Sequence, residues 1–132
     1  MVLYNNHHVS INVTDLDKSI RFYKILGFAE RYRYADDSVT IVHLLSQSLL
    51  VELFHYSNAP LTKSISNDVE HGDIIGIEHF SLQVDDIQEA FKELKQFSVC
   101  NVSKGRTGID YFFIVDPDGN RIEIVKDTRL LL

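Results

Sequence analysis

The chain has 132 residues, of which 45% are hydrophobic and 24% charged, and its formal net charge is −6. This length suits one compact structural domain, no apolar run is long enough to span a bilayer, and an acidic chain without a Lys/Arg cluster argues against nucleic acid and anionic membrane surfaces as partners. The single cysteine, Cys100, excludes a disulfide framework or a cysteine-based zinc site within one chain, so a reducing cytoplasm is the expected location.

The first predicted strand is "HVSINV", residues 8–13. Its alternation places three apolar side chains on one face and three polar side chains on the other: Val9, Ile11 and Val13 against His8, Ser10 and Asn12. A helix follows in "TDLDKSIRFYKILGF", with Thr14 or Asp15 as its cap and Gly27 placed to end it in a left-handed conformation. The helix carries an apolar stripe that can cover the apolar face of a sheet.

Three β-rich runs complete the first half: "FAERYRY", "VTIVHLLS" and "SLLVELFHY". Glu52 interrupts the last of these runs, whereas His43 and His55 are interpreted as ordinary strand residues. The segment 57–75 that follows is polar and is predicted to be a linker loop.

The second half begins with a strand in "IEHFSLQV", residues 77–84, where His79, Ser81 and Gln83 share the polar face. The next segment, "DDIQEAFKELKQF", is predicted to be a helix, and Asp85 with Gln88 has the spacing of a capping box. Three further β-rich runs follow it: "SVCNVSK", "GIDYFFIVD" and "NRIEIVK". The segment 116–120, "DPDGN", predicts a turn between the last two runs.

The two halves are related by a constant offset, since 79 minus 8 and 123 minus 52 both equal 71. The offset therefore pairs His8 with His79 and Glu52 with Glu123. We predict an α+β fold of two tandem βαβββ modules, residues 1–56 and 76–132, within one structural domain.

A carboxylate between Val51 and Leu53 is costly to bury without a partner. Two imidazoles and two carboxylates that converge would form a mixed nitrogen and oxygen ligand set for a divalent metal, with positions open to water or substrate. The alternative is that duplication copied these residues and that the metal function later lapsed.

Four stretches together resemble the vicinal oxygen chelate superfamily, which includes glyoxalase I, fosfomycin-resistance proteins, methylmalonyl-CoA epimerase and extradiol dioxygenases: "HHVSINVTDLDKSIRFYKILGF", "VELF", "IEHFSLQVDDIQEAF" and "DPDGNRIEI". The resemblance implies that the paired modules form a curled mixed sheet around a metal-binding groove. The family's ligand positions fall on His8, Glu52, His79 and Glu123, a set similar to that of bacterial glyoxalase I.

The resemblance implies an enzyme of glyoxalase I type that uses Ni²⁺, Co²⁺ or Zn²⁺ to stabilise an enediolate. Its substrate would be the hemithioacetal of methylglyoxal and glutathione, and its product S-lactoylglutathione. Glu123 or Glu52 would be the catalytic base, and both remain candidates. A homodimer is expected, in which each metal site lies within one chain or is shared between two.

The chain departs from glyoxalase I at two positions near the ligands, since Asn12 stands where that enzyme has Arg and Tyr56 where it has Asn. These changes favour a flatter or more apolar small-molecule substrate, which could still be a thiol adduct. The candidate substrate-binding residues are Asn12, Phe54, Tyr56, Tyr111 and Phe113.

Two other functions fit the same resemblance. One is a non-catalytic binder of the bleomycin-resistance type, and those proteins generally lack the metal residues. The other is a thiol transferase of the fosfomycin type, which needs a subset of two His and one Glu.

Overall fold

A computed structural model of the protein describes residues 1–4, 6–47, 49–58 and 77–128. The chain divides into two compact units, Met1–Thr62 and Lys63–Leu132. Most of the predicted linker, from residue 59 onward, lies outside the described residues. In the part of the chain that the structure describes, none of the helices has the length and apolarity needed to cross a membrane.

The first unit is a βαβββ module. Its elements in chain order are β1 (His8–Asn12), α1 (Leu16–Ile25), β2 (Ala29–Ala35), β3 (Val39–Ser46) and β4 (Leu49–Tyr56). The strands form one mixed sheet in the order β1-β4-β3-β2, in which β1 runs parallel to β4 and the other neighbours are antiparallel.

The second unit repeats this architecture. Its elements are β5 (Phe80–Gln83), α2 (Ile87–Leu94), a 3₁₀ helix (Lys95–Phe97), β6 (Ser103–Lys104), β7 (Asp110–Val115) and β8 (Arg121–Lys126). The sheet order β5-β8-β7-β6 has the same pattern, with β5 parallel to β8. The predicted α+β fold of two tandem βαβββ modules is therefore confirmed.

Each module buries the apolar side of its sheet, on which its helix packs. The sheet residues at most 1% exposed are Val42, Leu44, Val51 and Leu53 in the first module and Phe112, Ile114, Ile122 and Ile124 in the second. Because successive side chains point to opposite faces, the residues between them lie on the other side of each sheet. We call this side the polar face; it carries Glu52 in the first module and Glu123 in the second.

Both helices begin at an aspartate that is related by the offset of the repeat. The Asp15 side chain accepts a hydrogen bond from the Lys18 N–H, and that of Asp86 accepts one from the Glu89 N–H, both at 3.0 Å. Both Asp85 and Asp86 were candidates to cap α2, and the spacing of Asp85 with Gln88 pointed one residue too early, since Asp86 is the N-cap. Asp86 has the extended backbone of an N-cap and its carboxylate reaches the N–H three residues on, whereas Asp85 lies one residue further out.

The end of α1 follows the prediction made from Gly27, whose φ is +93°. The Gly27 N–H donates to the Lys24 carbonyl and the Phe28 N–H to the Tyr23 carbonyl, which is a Schellman motif.

Two of the predicted strands in the second half are shorter than expected. In "SVCNVSK" only Ser103–Lys104 is a strand, and Ser98 makes an isolated bridge to Ile114. The strand in "IEHFSLQV" begins at Phe80, so that His79 immediately precedes it. The predicted turn at 116–120 is present, because the Asp116 carboxylate accepts hydrogen bonds from two backbone N–H groups of the turn.

Candidate metal centre

In the first module, the parallel pairing of β1 with β4 places Ser10 opposite Glu52. The Ser10 hydroxyl donates to Glu52 Oε1 at 2.6 Å, and His8 Nε2 lies 3.3 Å from the same oxygen. The Glu52 side chain is 17% exposed. A histidine, a serine and a half-buried glutamate therefore form one cluster on the polar face.

The second module repeats this cluster. Ser81 pairs with Glu123 across β5 and β8, and its hydroxyl donates to Glu123 Oε1 at 2.7 Å. His79 Nε2 lies 3.6 Å from that oxygen, and the Glu123 side chain is 23% exposed. The offset of 71 therefore relates contacts as well as residue types, with Ser10 and Ser81 as a third related pair.

The residue before each histidine contacts its ring. His79 Nδ1 lies 3.2 Å from Glu78 Oε2. Because a carboxylate can only accept, Nδ1 donates to Glu78, and Nε2 is the ring nitrogen left to bind a metal. In the first module His7 Nδ1 lies 2.7 Å from His8 Nδ1. Glu78 was not among the predicted site residues, although the same offset of 71 relates it to His7.

His43 was wrongly interpreted as an ordinary strand residue. Its Nε2 lies 2.7 Å from Glu52 Oε2, so it contacts the carboxylate oxygen that Ser10 leaves unbonded. The signal that could have found it is the turn between β3 and β4. Since Ser46 pairs with Leu49, counting back along both strands pairs His43 with Glu52.

The environment of Glu52 favours its ionised form. Partial burial raises the pKa of this carboxyl, but the hydrogen bonds from Ser10 and His43 and the electrostatic attraction of His8 and His43 lower it further. The net pKa lies below the usual value of 4.5. At neutral pH Glu52 is therefore a carboxylate, the form that binds a cation.

The five predicted substrate-binding residues all lie on the polar faces. In the first module Asn12 pairs with Phe54, and the Phe54 ring stacks on Tyr56 with 6.0 Å between centroids. In the second module Tyr111 and Phe113 make an edge-to-face contact at 5.7 Å.

The second module has a pocket of about 440 Å³ on its polar face. Its lining residues are Glu78, His79, Gly105, Arg106, Thr107, Ile109, Tyr111, Phe113, Glu123 and Val125. It therefore brings together two predicted ligands and two predicted substrate-binding residues.

The donor chemistry of each module fits half of a ligand set for a divalent metal. Imidazole nitrogen and carboxylate oxygen are the ligands that Ni²⁺, Co²⁺ and Zn²⁺ accept, and the ring of His79 is held with Nε2 toward Glu123. Residues 1–4, 6–47, 49–58 and 77–128 contain no group of three or more His, Cys, Asp or Glu side chains arranged to hold a metal ion. Each module thus brings together one pair of the predicted ligands.

Comparison with known proteins identifies the family. The profile of the Glyoxalase/Bleomycin resistance protein/Dioxygenase superfamily matches residues 6–124. The chain is 33% identical over 127 residues to the uncharacterized protein YaeR of Escherichia coli K12, which covers 91% of this chain and 94% of that protein. It is 30% identical over 125 residues to the trivalent organoarsenical cleaving enzyme of Bacillus sp. MD1, which covers 88% of this chain and 69% of that enzyme.

Among solved structures, the trypanothione-dependent glyoxalase I of Leishmania major superimposes with a TM-score of 0.69 at 26% identity, covering 94% of this chain and 87% of that one. The resemblance read from the sequence is thereby confirmed, and the chain belongs to the glyoxalase/bleomycin resistance protein/dioxygenase (vicinal oxygen chelate) superfamily.

Proposed function

We propose that this protein is a divalent-metal-dependent lyase or isomerase of glyoxalase I type, acting on a small substrate with vicinal oxygens such as a hemithioacetal. The observation that carries the proposal is the repeated His–Ser–Glu cluster, which has nearly the same contacts in both modules. A relative of similar fold with glyoxalase I activity supports the reaction class.

His8 and Glu52 from the first module, with His79 and Glu123 from the second, are the proposed ligands. A divalent ion bound by them supplies Lewis acidity to the oxygens of the substrate. The serine hydroxyls of Ser10 and Ser81 orient the two carboxylates, and the Glu78 carboxylate holds the His79 ring in the tautomer that a ligand needs.

Of the two candidate bases, the geometry supports Glu123. Within the described residues its carboxylate contacts Ser81 and His79 through Oε1 alone, and Glu123 is one of the residues that line the pocket. Both oxygens of Glu52 are instead engaged, by Ser10 and His43. A base must reach the carbon-bound proton of a substrate. The Glu123 carboxylate can move toward that proton by breaking fewer hydrogen bonds than the Glu52 carboxylate would.

The pocket supports a substrate that combines an apolar body with an anionic group. Tyr111 and Phe113 supply apolar walls, and the exposed guanidinium of Arg106 lies at the same pocket. Arg121 is less available, since it already lies near Glu78 and the Phe113 ring.

Replacing Arg106 with Ala should raise KM for the hemithioacetal of glutathione about 10- to 100-fold, because a charge-assisted hydrogen bond contributes about 1.5–3 kcal/mol. The measurement compares this adduct with the uncharged hemithioacetal of 2-mercaptoethanol, whose KM should change little. Arg31→Ala, in β2 of the first module, is the matched control. An equal rise of KM for both adducts would show that Arg106 does not recognise the anionic group.

The proposal as a whole is tested by metal binding and activity in the purified protein. Reloaded wild-type protein should bind Ni²⁺, Co²⁺ or Zn²⁺ and convert a hemithioacetal. His8→Ala and His79→Ala should each weaken binding more than about 100-fold, since loss even of an outer-shell partner costs 10- to 100-fold. His55→Ala, on the opposite face of β4 from Glu52, should bind like the wild type.

Failure of the reloaded wild-type protein to bind any divalent metal would overturn the enzyme proposal and favour a binder of the bleomycin-resistance type. Metal uptake without hemithioacetal turnover would favour a thiol transferase of the fosfomycin type instead. The same preparation can then be assayed for conjugation of a thiol to fosfomycin. Light scattering would test the homodimer that we expect.

Cleavage of a trivalent organoarsenical is a second candidate, because a relative 30% identical over most of this chain has that activity. Trivalent arsenic binds soft thiol ligands, and the thiol of the exposed Cys100 accepts a hydrogen bond at 3.3 Å from the N–H of Phe113, which lines the pocket. An arsenical cleavage assay of the wild type and of Cys100→Ser discriminates between the two reactions.

A further inference from the structure

We propose that His43 is a positioning residue that holds Glu52 in the orientation needed for metal binding. The inference rests on the proposed function, because it assigns a role to His43 through a proposed ligand. This role accounts for the presence of His43, which the offset of 71 does not relate to another histidine.

The contact between His43 and Glu52 is short and partly shielded from water. The two residues are directly opposite each other on β3 and β4, and Nε2 lies 2.7 Å from Glu52 Oε2. The side chains are 27% and 17% exposed. Because the carboxylate only accepts, His43 donates through Nε2. Its ring also lies against that of Tyr32, with 5.6 Å between centroids, which limits its rotation.

His43 and Ser10 together engage both oxygens of Glu52. Ser10 donates to Oε1 and His43 to Oε2, so rotation of the carboxylate would break one of two hydrogen bonds. A ligand that is already oriented loses less conformational freedom when the metal binds. Outer-shell donors of this kind typically change metal affinity 10- to 100-fold.

The second module provides an internal comparison, because the residue opposite Glu123 is Phe113 rather than histidine. The difference arises from the turns. Ser46 pairs with Leu49 in the first module, whereas Val115 pairs with Arg121 in the second. The offset of 71 relates His43 to Ile114. Because the connection in the second module is longer, the pairing of its strands is shifted by one residue, and Phe113 lies opposite Glu123 instead. Among the described residues, Glu123 therefore has no counterpart of the hydrogen bond that His43 makes with Glu52.

The test uses two substitutions at one position and a control. His43→Phe installs the residue that the second module has and removes the donor, whereas His43→Gln keeps an N–H that can reach the carboxylate. His55→Ala is the control on the neighbouring strand. Affinity for Zn²⁺ and Ni²⁺ is measured by competition with a chelator, together with thermal unfolding and a crystal structure of each metal-free variant.

We expect His43→Phe to weaken metal binding about 10- to 100-fold and His43→Gln to recover most of that loss. Wild-type affinity in a folded His43→Phe variant would overturn the inference. Equal losses in both variants would also overturn it, because the imidazole itself would then be needed rather than its hydrogen bond.

The experiment separates this inference from the proposed function. A wild-type protein that binds no metal overturns the proposed function, and the metal-free crystal structures then decide about His43. A Glu52 carboxylate that keeps its orientation in His43→Phe would show that His43 does not position it. The positioning role of His43 would be supported if the Glu52 carboxylate changed its orientation in His43→Phe and returned to the wild-type orientation in His43→Gln.

Discussion

Replacing Glu123 with Gln should lower kcat about 10²- to 10⁴-fold at saturating metal, because the substitution removes the proposed base. The glutamine oxygen can still accept the hydrogen bond from Ser81, and the side chain keeps its length, so the local packing is preserved. Steady-state kinetics on a hemithioacetal, with metal content measured in the same samples, separates the loss of proton transfer from the loss of metal.

Glu52→Gln is the matched control, since it makes the same change at the related position of the other module. Its amide oxygen can still coordinate a metal, so we expect a smaller loss of kcat than for Glu123→Gln once the metal is saturating. The reverse order of the two losses would assign the base to Glu52. Equal losses would indicate that both carboxylates act only as ligands.

Replacing Phe112 with Ala should destabilise the second module by about 3–5 kcal/mol. Phe112 is fully buried, pairs with Ile124 on β8 and meets the Phe91 ring of α2 edge-on at 5.2 Å. The truncation removes a ring that joins the helix to the sheet and leaves a cavity that the neighbours fill only partly. Such a loss is a large fraction of the 5–15 kcal/mol that stabilises a typical domain, and urea unfolding measures it.

Val99→Ala is the control for this prediction, because Val99 is 50% exposed and its truncation should change the free energy of unfolding by less than about 0.5 kcal/mol. A loss below about 1 kcal/mol for Phe112→Ala would mean that the core of the second module can collapse around the missing ring. Since Phe112 and Phe113 point to opposite faces of β7, the experiment also tests how far the polar face depends on the core beneath it.

Much of the fold follows from local patterns. Alternation of side chains along a strand identifies its apolar and polar faces without tertiary information, and it placed Glu52 and Glu123 correctly opposite the buried residues. The apolar stripes of the two helices and the glycine at position 27 define elements through short-range geometry in the same way. The offset between halves then predicted the two-module architecture, because duplicated modules keep the spacing of their core residues.

The sequence by itself therefore determined the fold class, the two modules and the residue types on their polar faces. Tertiary structure alone decided which side chains meet across the strands. The contact of His43 with Glu52 and its replacement by Phe113 in the second module depend on the register of each hairpin, which the length of its turn sets. A constant offset along the chain cannot show this difference, since eight residues lie between His43 and Glu52 but nine between Phe113 and Glu123, so a different side chain lies opposite the related glutamate.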